Sequence, residues 1–239
     1  MRLDKDCWLL NKPIAHRGLW NDNIIENSIL AYQNAIDHGY PIEIDLFLTT
    51  DNQLVSFHDD DLSRMTGENG FVFNKTLKEL KALRLNQTLE QIPTFDEVLE
   101  ICQNKVPILI EIKNQPNKQV VDKVVERLKN YKGEFAIQSF NPFYINRVKK
   151  LAPEFLRGIL CDTFNLDKSR IVRYIVRKTP LNFICKPDFL SLNYKSLPIK
   201  LRRAKKYPKI AWTVTSQQIA DKVKPYSNNM IFENFLPKE

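Results

Sequence analysis

Residues 41–61, PIEIDLFLTTDNQLVSFHDDD, contain two apolar runs separated by a polar turn. In the first run Glu43 and Asp45 stand two positions apart, so on a β-strand both carboxylates point to the same face. The second run, residues 54–57, leads directly to His58. Carboxylates in a strand core cost free energy unless a cation or hydrogen bonds compensate them. The stretch predicts a hard-metal site beside an acid/base histidine or, as the alternative, the solvated face of an amphipathic strand.

The composition is that of an ordinary soluble globular protein. The 239 residues are 43% hydrophobic and 27% charged, and a chain of this length buries a sizeable core without disulfides. The length allows one barrel-sized domain or two small ones. The formal net charge of +8 indicates a lysine-rich solvated surface, or attraction to a polyanion or an anionic membrane face. Basic side chains are not interleaved with aromatics in a nucleic-acid pattern, so we expect no nucleic-acid binding.

The four cysteines have neither paired nor metal-ligand spacing. Cys102, Cys161 and Cys185 stand in apolar surroundings, which predicts buried free thiols and a reducing compartment. The first residues include acidic side chains and lack an apolar stretch long enough for a signal peptide. No segment reaches the length of about 18 apolar residues that a membrane span needs. We therefore expect a cytoplasmic protein.

Strand-like and helix-like segments alternate along the chain. Nine strand candidates lie near Ile14, twice within residues 41–61, and near Ile108, Phe135, Arg157, Phe189, Lys209 and Met230. Helical patterns such as residues 117–130 and 166–177 separate many of them. This alternation predicts a parallel α/β architecture, and because a closed barrel has eight strands, one candidate would lie outside it. An open doubly wound sheet is the alternative, although no glycine-rich phosphate turn follows the first strand.

Residues 62–91 lack a clean periodicity, and we interpret them as an insertion over one end of the main domain. A short helix is expected within residues 76–83. Immediately after the insertion, Thr94 followed by Glu97 three positions later forms a capping-box pattern. This pattern predicts a helix that extends to about Cys102.

Seven polar side chains stand at the ends of predicted strands: His16, Arg17, Glu43, Asp45, His58, Glu111 and Lys113. The carboxyl ends of the strands of a parallel barrel converge on one face, so we expect these groups to meet. Three carboxylates suit Ca²⁺ or Mg²⁺ rather than zinc, because neither cysteines nor paired histidines accompany them at ligand spacing. Arg17 and Lys113 would offset the charge of an anionic substrate. Two histidines allow one to act as a base and the other as an acid.

An ordered series of motifs resembles the glycerophosphodiester phosphodiesterase family, within the phospholipase-C-like phosphodiesterase group. The matching stretches are AHRG at 15–18, ENS at 26–28, IEID at 42–45, TD at 50–51, FHD at 57–59, LSRMTG at 62–67, IPT at 92–94, IEIK at 110–113, QSFNP at 138–142 and WTV at 212–214. They follow the order of the family over almost the whole chain. The sequence departs from the family at Glu233, where an aspartate is usual, and at Thr215, where an asparagine is common.

The resemblance implies a TIM-type (β/α)8 barrel with a small insertion module after the third strand. The expected organisation is a single domain over residues 1–239 with the module at 60–91. The resemblance also implies roles for nine residues: Glu43, Asp45 and Glu111 as ligands of one divalent cation, Ca²⁺ or Mg²⁺; His16 and His58 as the catalytic acid/base pair; and Arg17, Lys113, Trp212 and Asn27 as substrate-binding positions.

The activity implied is metal-dependent hydrolysis of a glycerophosphodiester to glycerol 3-phosphate and an alcohol. One alternative is lysophospholipase D-type cleavage of a lysophospholipid at a membrane surface, which the basic second half of the chain favours. A catalytically silent phosphodiester-binding protein is another, although the complete set of carboxylates and histidines argues against it. The expected partner is a small-molecule glycerophosphodiester. A peripheral contact with an anionic membrane is left open, and the sequence assigns no oligomeric state.

Overall fold

The computed structural model describes residues 3–162, 185–199 and 202–238. Contacts divide the chain into two compact units, Ala15–Phe135 and the unit formed by Met1–Ile14 with Ala136–Glu239. The chain begins with helix α1 (Trp8–Asn11) and strand β1 (Ile14–Ala15), which lies at the boundary between the two units.

The Ala15–Phe135 unit is organised around strand β2 (Ile42–Leu48). Strand β3 (Leu54–Ser56) pairs with it antiparallel, whereas β4 (Ile108–Ile112) and Ala15 of β1 pair with it in parallel. Every residue of β2 and β4 is buried. This is the pattern of parallel strands that are covered on both faces, and it places the carboxylates on these strands away from water.

The helices described in this unit are α2 (Ile29–Asp37), α3 (Ser63–Thr66), α4 (Leu77–Ala82), α5 (Phe95–Cys102) and α6 (Val120–Leu128). Three of these five helices, α2, α4 and α5, begin at a side chain that caps the first turn. The Ser28 hydroxyl accepts from the Ala31 amide, and Thr94 forms the predicted capping box with Glu97. Capping of this kind satisfies amide groups that have no partner within the helix. The helix predicted over residues 117–130 is shorter, because the amide of Gln119 is bound by the side chain of Asn117 before the first turn.

The insertion lies between β3 and α5 and shares its core with the strands. It contains α3, α4 and the short 3₁₀ turns Val72–Asn74 and Leu85–Gln87. One buried apolar cluster joins it to β2 and β3: Phe47, Val55, Phe57, Leu62, Met65, Val72, Leu80, Leu85 and Ile92. Burial of large apolar side chains is the main favourable term in folding. The insertion is therefore held against the strands by the same core that orders them.

The other unit contains a parallel series of strands with helices between them. The strands are β5 (Phe135–Ser139), β6 (Arg157–Cys161), β7 (Phe189–Asn193), β8 (Lys209–Val214) and β9 (Asn229–Phe232), and the helices are α7 (Pro142–Leu151) and α8 (Gln217–Val223), with 3₁₀ turns at Tyr194–Ser196 and Arg202–Lys206. Each strand runs parallel to the next. Asn229 anchors the beginning of the chain, since its side-chain amide donates to the carbonyls of Leu9 at 2.9 Å and Lys12 at 2.7 Å.

Among the described residues, eight strands run parallel to a neighbour and β3 alone runs antiparallel. The fold class predicted from the sequence is confirmed as a TIM-type (β/α)8 barrel with an insertion after the third strand, rather than an open doubly wound sheet. The strand candidate that was expected to lie outside the eight parallel strands is β3. The helix predicted at 166–177 lies outside the described residues.

None of the four cysteines, all of which lie in the described ranges, forms a disulfide. Cys102 and Cys185 are buried as predicted, whereas Cys161, expected to be buried, is partly exposed at the end of β6. Within the described ranges, no helix has the length and apolar character to cross a membrane.

Gly18 and Gly39 provide a matched test of packing beside the first strand. Both have a positive φ, of 82° and 71°, but a Cβ on Gly18 would lie 2.7 Å from the carbonyl carbon of Ala31, whereas a Cβ on Gly39 meets nothing within 4 Å. We expect Gly39→Ala to lower the free energy of unfolding by about 1 kcal/mol, from backbone strain alone. Gly18→Ala adds a steric clash and should lower it by at least about 3 kcal/mol. Urea unfolding followed by circular dichroism measures both, and equal losses would contradict this explanation.

Candidate active site

Three carboxylates meet on the neighbouring strands β2 and β4. Glu43 and Asp45 lie on the same face of β2, and Asp45 is the direct parallel partner of Glu111 on β4. One carboxylate oxygen from each lies within 4.8 Å of the others. The residues are only 2%, 1% and 7% exposed. The alternative in which Glu43 and Asp45 form a solvated strand face is therefore wrong.

The burial of these groups makes their full ionisation unfavourable without positive charge nearby. Burial raises the pKa of Glu43 well above its ordinary value, and the charges of Asp45 and Glu111 raise it further. Burial also raises the pKa of Glu111 to about 7, against the opposing effect of Lys113. Burial would likewise raise the pKa of Asp45, but Lys113, His58 and Arg17 lower it below its usual range. Negative charge is thus concentrated on Asp45.

Two cationic side chains border the carboxylates. The Lys113 ammonium lies 3.3 Å from Asp45 Oδ1 and 3.1 Å from Glu111 Oε1. Arg17 Nε lies 3.8 Å from Asp45 Oδ2, and the backbone amide of Arg17 donates to Glu43 Oε2 at 3.2 Å. Arg17 adopts a φ of 58°, an uncommon conformation for a residue with a side chain.

The chemistry of this donor set fits a hard divalent cation. The cluster contains three carboxylates and only oxygen donors, which is the ligand type that Ca²⁺ and Mg²⁺ prefer. When all three carboxylates are ionised they outnumber the two cationic side chains beside them, so the ionised cluster can accept additional positive charge. The orientation of Asp45 and Glu111 by direct strand pairing holds two of the donors on a rigid element.

A buried hydrogen-bond network supports Asp45. The amide nitrogen of Asn27 donates to Asp45 Oδ2 at 3.1 Å, while the Tyr32 hydroxyl donates to the Asn27 carbonyl at 2.7 Å. The Ser56 hydroxyl lies 2.6 Å from that of Tyr32. Asn27, predicted as a substrate-binding residue, has a buried side chain that contacts Asp45 and Tyr32. Sequence reasoning missed Tyr32 and Ser56, because a tyrosine in an amphipathic helix and a serine in a strand are usually packing residues.

His58 follows β3 and is oriented by its neighbour. Its Nδ1 lies 2.6 Å from Asp59 Oδ1. Burial raises the pKa of Asp59, but Arg64 and His58 outweigh this effect and lower it overall. An ionised carboxylate only accepts hydrogen bonds, so Nδ1 carries the hydrogen and Nε2 of the neutral ring has a free lone pair. Burial lowers the pKa of His58, although the nearby charge of Asp45 opposes this, so the neutral ring is favoured.

A series of ion pairs connects Asp59, beside His58, to Arg17. Arg64 of the insertion donates through Nε to Asp59 Oδ2 at 2.5 Å and through Nη2 to Glu26 Oε1 at 2.6 Å. The same Glu26 oxygen accepts from Arg17 Nη1 at 2.7 Å. In the sequence, Glu26 and Arg64 stand only within the ENS and LSRMTG motifs, and no local pattern predicted their contact.

The remaining predicted residues occupy two different places. His16 follows β1 directly before Arg17, and its backbone carbonyl accepts from the Trp20 indole at 3.0 Å. Trp212 lies on β8 in the other unit, where its ring packs edge-on against Phe140 with 5.6 Å between centroids. The Ala15–Phe135 unit therefore carries every predicted site residue except Trp212.

The class of protein is a TIM-type barrel that carries a buried acidic cluster on adjacent strands, with a histidine and two cationic side chains near it. The family model described as the glycerophosphoryl diester phosphodiesterase family matches residues 16–237. The chain belongs to this family.

The relatives in sequence include proteins with two related activities. A glycerophosphodiester phosphodiesterase of Caldanaerobacter subterraneus is 37% identical over 161 residues, which are 62% of this chain and 65% of that protein. A lysophospholipase D of Rattus norvegicus is 35% identical over 138 residues, or 52% of this chain and 43% of that protein. The match thus spans slightly less than two thirds of the first relative and under half of the second.

Solved structures match over nearly the full length. A phosphodiesterase of Oleispira antarctica in complex with the product sn-glycerol-3-phosphate has a TM-score of 0.77 at 25% identity, covering 94% of this chain and 93% of that one. The glycerophosphodiester phosphodiesterase of Thermotoga maritima has a TM-score of 0.71 at 25% identity, with 92% of each chain covered.

The buried network behind Asp45 leads to a stability prediction. Tyr32→Phe removes the hydroxyl that donates to Asn27 and leaves that buried carbonyl without its shortest hydrogen bond. We expect the free energy of unfolding, measured in urea, to fall by about 1–2 kcal/mol. The control is Tyr226→Phe, at an exposed position, which should change it by less than about 0.5 kcal/mol. Equal effects of the two variants would rule out a stabilising role for the Tyr32 hydroxyl.

Proposed function

We propose that this protein is a glycerophosphodiester phosphodiesterase that hydrolyses its substrate to glycerol 3-phosphate and an alcohol. The observation that carries the proposal is the buried cluster of Glu43, Asp45 and Glu111 with His58 close enough to Asp45 to influence its pKa. A phosphodiester is an anion, and this arrangement offers it cationic side chains beside a histidine. Family membership and the activity named for the Caldanaerobacter relative support the assignment.

Glu43, Asp45 and Glu111 are the residues that would hold one divalent cation, Ca²⁺ or Mg²⁺. When bound, such an ion stabilises the negative charge that develops on the phosphoryl oxygens. Asn27 is proposed as a substrate-binding residue, and its hydrogen bonds to Asp45 and Tyr32 also orient Asp45.

Arg17 and Lys113 would contact the phosphate from the protein side. Both are charged at neutral pH, and each is fixed by a carboxylate, which reduces the side-chain entropy lost when the anion binds. The Arg17 backbone is fixed as well, by its amide hydrogen bond to Glu43. Trp212 is proposed as an aromatic contact of the substrate.

His58 and His16 are proposed as the base and the acid. The bond to Asp59 leaves His58 Nε2 with a lone pair, so His58 is suited to take the proton from the attacking hydroxyl, either of water or of the glycerol 2-position. The new oxygen–phosphorus bond forms as the bond to the head-group oxygen breaks. His16 then donates its proton to that oxygen and the alcohol leaves neutral. When water attacks, this step gives glycerol 3-phosphate. When the glycerol 2-hydroxyl attacks, it gives a cyclic phosphate, which water opens in a second step as the bond from phosphorus to the 2-oxygen breaks and that oxygen takes a proton.

The three histidines of the chain provide a matched test. His16→Ala and His58→Ala should each lower kcat/KM for glycerophosphocholine by at least about 100-fold, since each removes one proton-transfer group. His38→Ala is the control: His38 ends α2 and its ring contacts the Asn34 carbonyl at 2.8 Å, so activity should stay near wild type. Release of glycerol 3-phosphate measures the rate. Near-native turnover of both His16→Ala and His58→Ala would refute the two-histidine assignment.

Lysophospholipase D-type hydrolysis is the second candidate. It is favoured by the 35% identity to the lysophospholipase D of Rattus norvegicus. The same assay run with lysophosphatidylcholine micelles distinguishes the two: higher kcat/KM on the lysolipid than on glycerophosphocholine would assign the lysolipid as the substrate. Binding of both substrates without release of product would instead favour the silent binding protein.

Cation binding should be linked to proton release. Burial raises the pKa of Glu43 and holds that of Glu111 at about 7, so below pH 7 the cation-free cluster carries protons that a cation must displace. We expect the apparent affinity for Ca²⁺ or Mg²⁺ to rise with pH between pH 5 and 7, by roughly tenfold per pH unit for each proton displaced, and less steeply above. Calorimetric titration of chelator-treated protein at pH 6, in two buffers with different protonation enthalpies, measures the released protons. Identical heats in the two buffers would contradict the prediction.

A further inference from the structure

The proposed mechanism does not use Arg64. This residue nevertheless contacts Asp59, the partner of His58, and Glu26, the partner of Arg17. It lies on α3 in the insertion, and its guanidinium bridges Asp59 and Glu26 with donor–acceptor distances of 2.5 and 2.6 Å. An arginine guanidinium presents its donors in a rigid planar fork, so one side chain can hold two carboxylates at a fixed separation. A lysine ammonium, a single charged point, does not fix two carboxylates in this way.

The backbone that carries Arg64 is itself anchored. Leu62 and Met65, on either side of it, are buried in the apolar cluster that also contains Phe57, the residue before His58. The insertion and the end of β3 therefore form one packed block, and Arg64 projects from this block with its side chain about half exposed. An anchored backbone makes a half-exposed arginine a defined contact rather than a mobile surface charge.

The first contact leads to His58. Asp59 uses one carboxylate oxygen for His58 Nδ1, at 2.6 Å, and the other for Arg64 Nε. A carboxylate held at both oxygens has little freedom to rotate, so the ring that donates to it is held in one orientation. The bond also selects the tautomer with the hydrogen on Nδ1.

The second contact leads to Arg17. Glu26 Oε1 accepts from both Arg64 Nη2 and Arg17 Nη1, and the Glu26 side chain is mostly buried. The Arg17 guanidinium is thereby held at Nη1, while its Nε lies 3.8 Å from Asp45 Oδ2. Glu26 thus fixes the direction in which the Arg17 fork points.

We propose that Arg64 is a positioning residue of the insertion that fixes His58 through Asp59 and Arg17 through Glu26. The rate effects below rest on the proposed function, whereas the orientation of the His58 ring does not. In this arrangement Arg64 touches neither the substrate nor the carboxylate cluster. Its loss should therefore disturb proton transfer and phosphate binding while cation affinity is retained.

The experiment compares Arg64→Met and Arg64→Lys with a matched control, Arg127→Met. Arg127 lies on α6, away from the site, and its side chain is 47% exposed, against 48% for that of Arg64. Like Arg64, it donates through Nε to an aspartate, Asp96. Circular dichroism confirms folding of each variant. If Arg64→Met does not fold, Arg64→Lys, which keeps the charge but not the fork, decides the outcome.

The first readout is the ¹⁵N spectrum of the histidine ring nitrogens, which is simple because the chain has three histidines. In wild type, His58 should show Nδ1 protonated and Nε2 free above its pKa. Arg64→Met should give a mixture of the two tautomers or shifted ring signals, Arg64→Lys a smaller change, and Arg127→Met the wild-type spectrum. A wild-type His58 signal in both Arg64 variants would overturn the proposal.

The second readout is the separation of kcat from KM on glycerophosphocholine. Arg64→Met should lower kcat by about tenfold, raise KM by about threefold and leave the dissociation constant of the cation within about twofold. Asp59→Ala should reproduce the loss of kcat alone, and Glu26→Gln the rise of KM alone. If Arg64 acts through Asp59, the double variant Arg64→Met/Asp59→Ala will have a kcat no lower than that of Asp59→Ala. A kcat lowered by the product of the two single losses would overturn this pathway.

The two proposals fail in distinguishable ways. A wild-type protein that releases no product from any glycerophosphodiester or lysolipid refutes the proposed function, and the ring spectrum still decides the role of Arg64. Conversely, an active enzyme whose Arg64→Met variant matches Arg127→Met in both readouts keeps its function and refutes the positioning role.

Discussion

The structure of the Ala15–Phe135 unit depends on the burial of three acidic side chains at the pairing of β2 with β4. An ionised carboxylate in a protein interior is unfavourable by several kcal/mol unless charges and hydrogen bonds compensate it. Each of the three groups has such a partner: Glu43 accepts from the Arg17 backbone, Asp45 from Asn27, and Glu111 contacts Lys113. The unusual conformations at the site follow from this need. A positive φ at Arg17, for example, is combined with an amide that points at Glu43.

The hydrogen bonds and ion pairs that compensate the buried carboxylates continue to residues from different parts of the sequence. Behind Asp45 the network continues through Asn27 to the hydroxyls of Tyr32 and Ser56, which lie on α2 and β3. Beside it, the ion pairs continue through Glu26 to Arg64 in the insertion. Buried polar networks favour one arrangement over its alternatives, because each partly satisfied state leaves a polar group unpaired. The site is therefore held by the fold around it as much as by the residues that face it.

The sequence predicted those features that follow from periodicity, spacing and short-range chemistry. The positions of the nine strands that the structure describes, the cap at Thr94 and the meeting of Glu43, Asp45 and Glu111 belong to this group. Alternation and the spacing of polar residues within apolar runs can be recognised along the chain, although Glu43 and Asp45 lie within β2 rather than at its end as expected. Contacts that depend on side-chain direction across the fold were not predictable in this way. Neither the commitment of Asn27 to Asp45 nor the partial exposure of Cys161 has a local signature.

The shared core of the insertion has a consequence for exchanging segments between related barrels. A loop that only covers a site can be replaced freely, but residues 60–91 contribute Leu62, Met65 and several other side chains to the cluster that orders β2 and β3. A transplanted segment must therefore match the volume of that cluster as well as the length of the loop. Exposed positions of the segment, such as Leu89, are more readily exchanged than the segment as a whole.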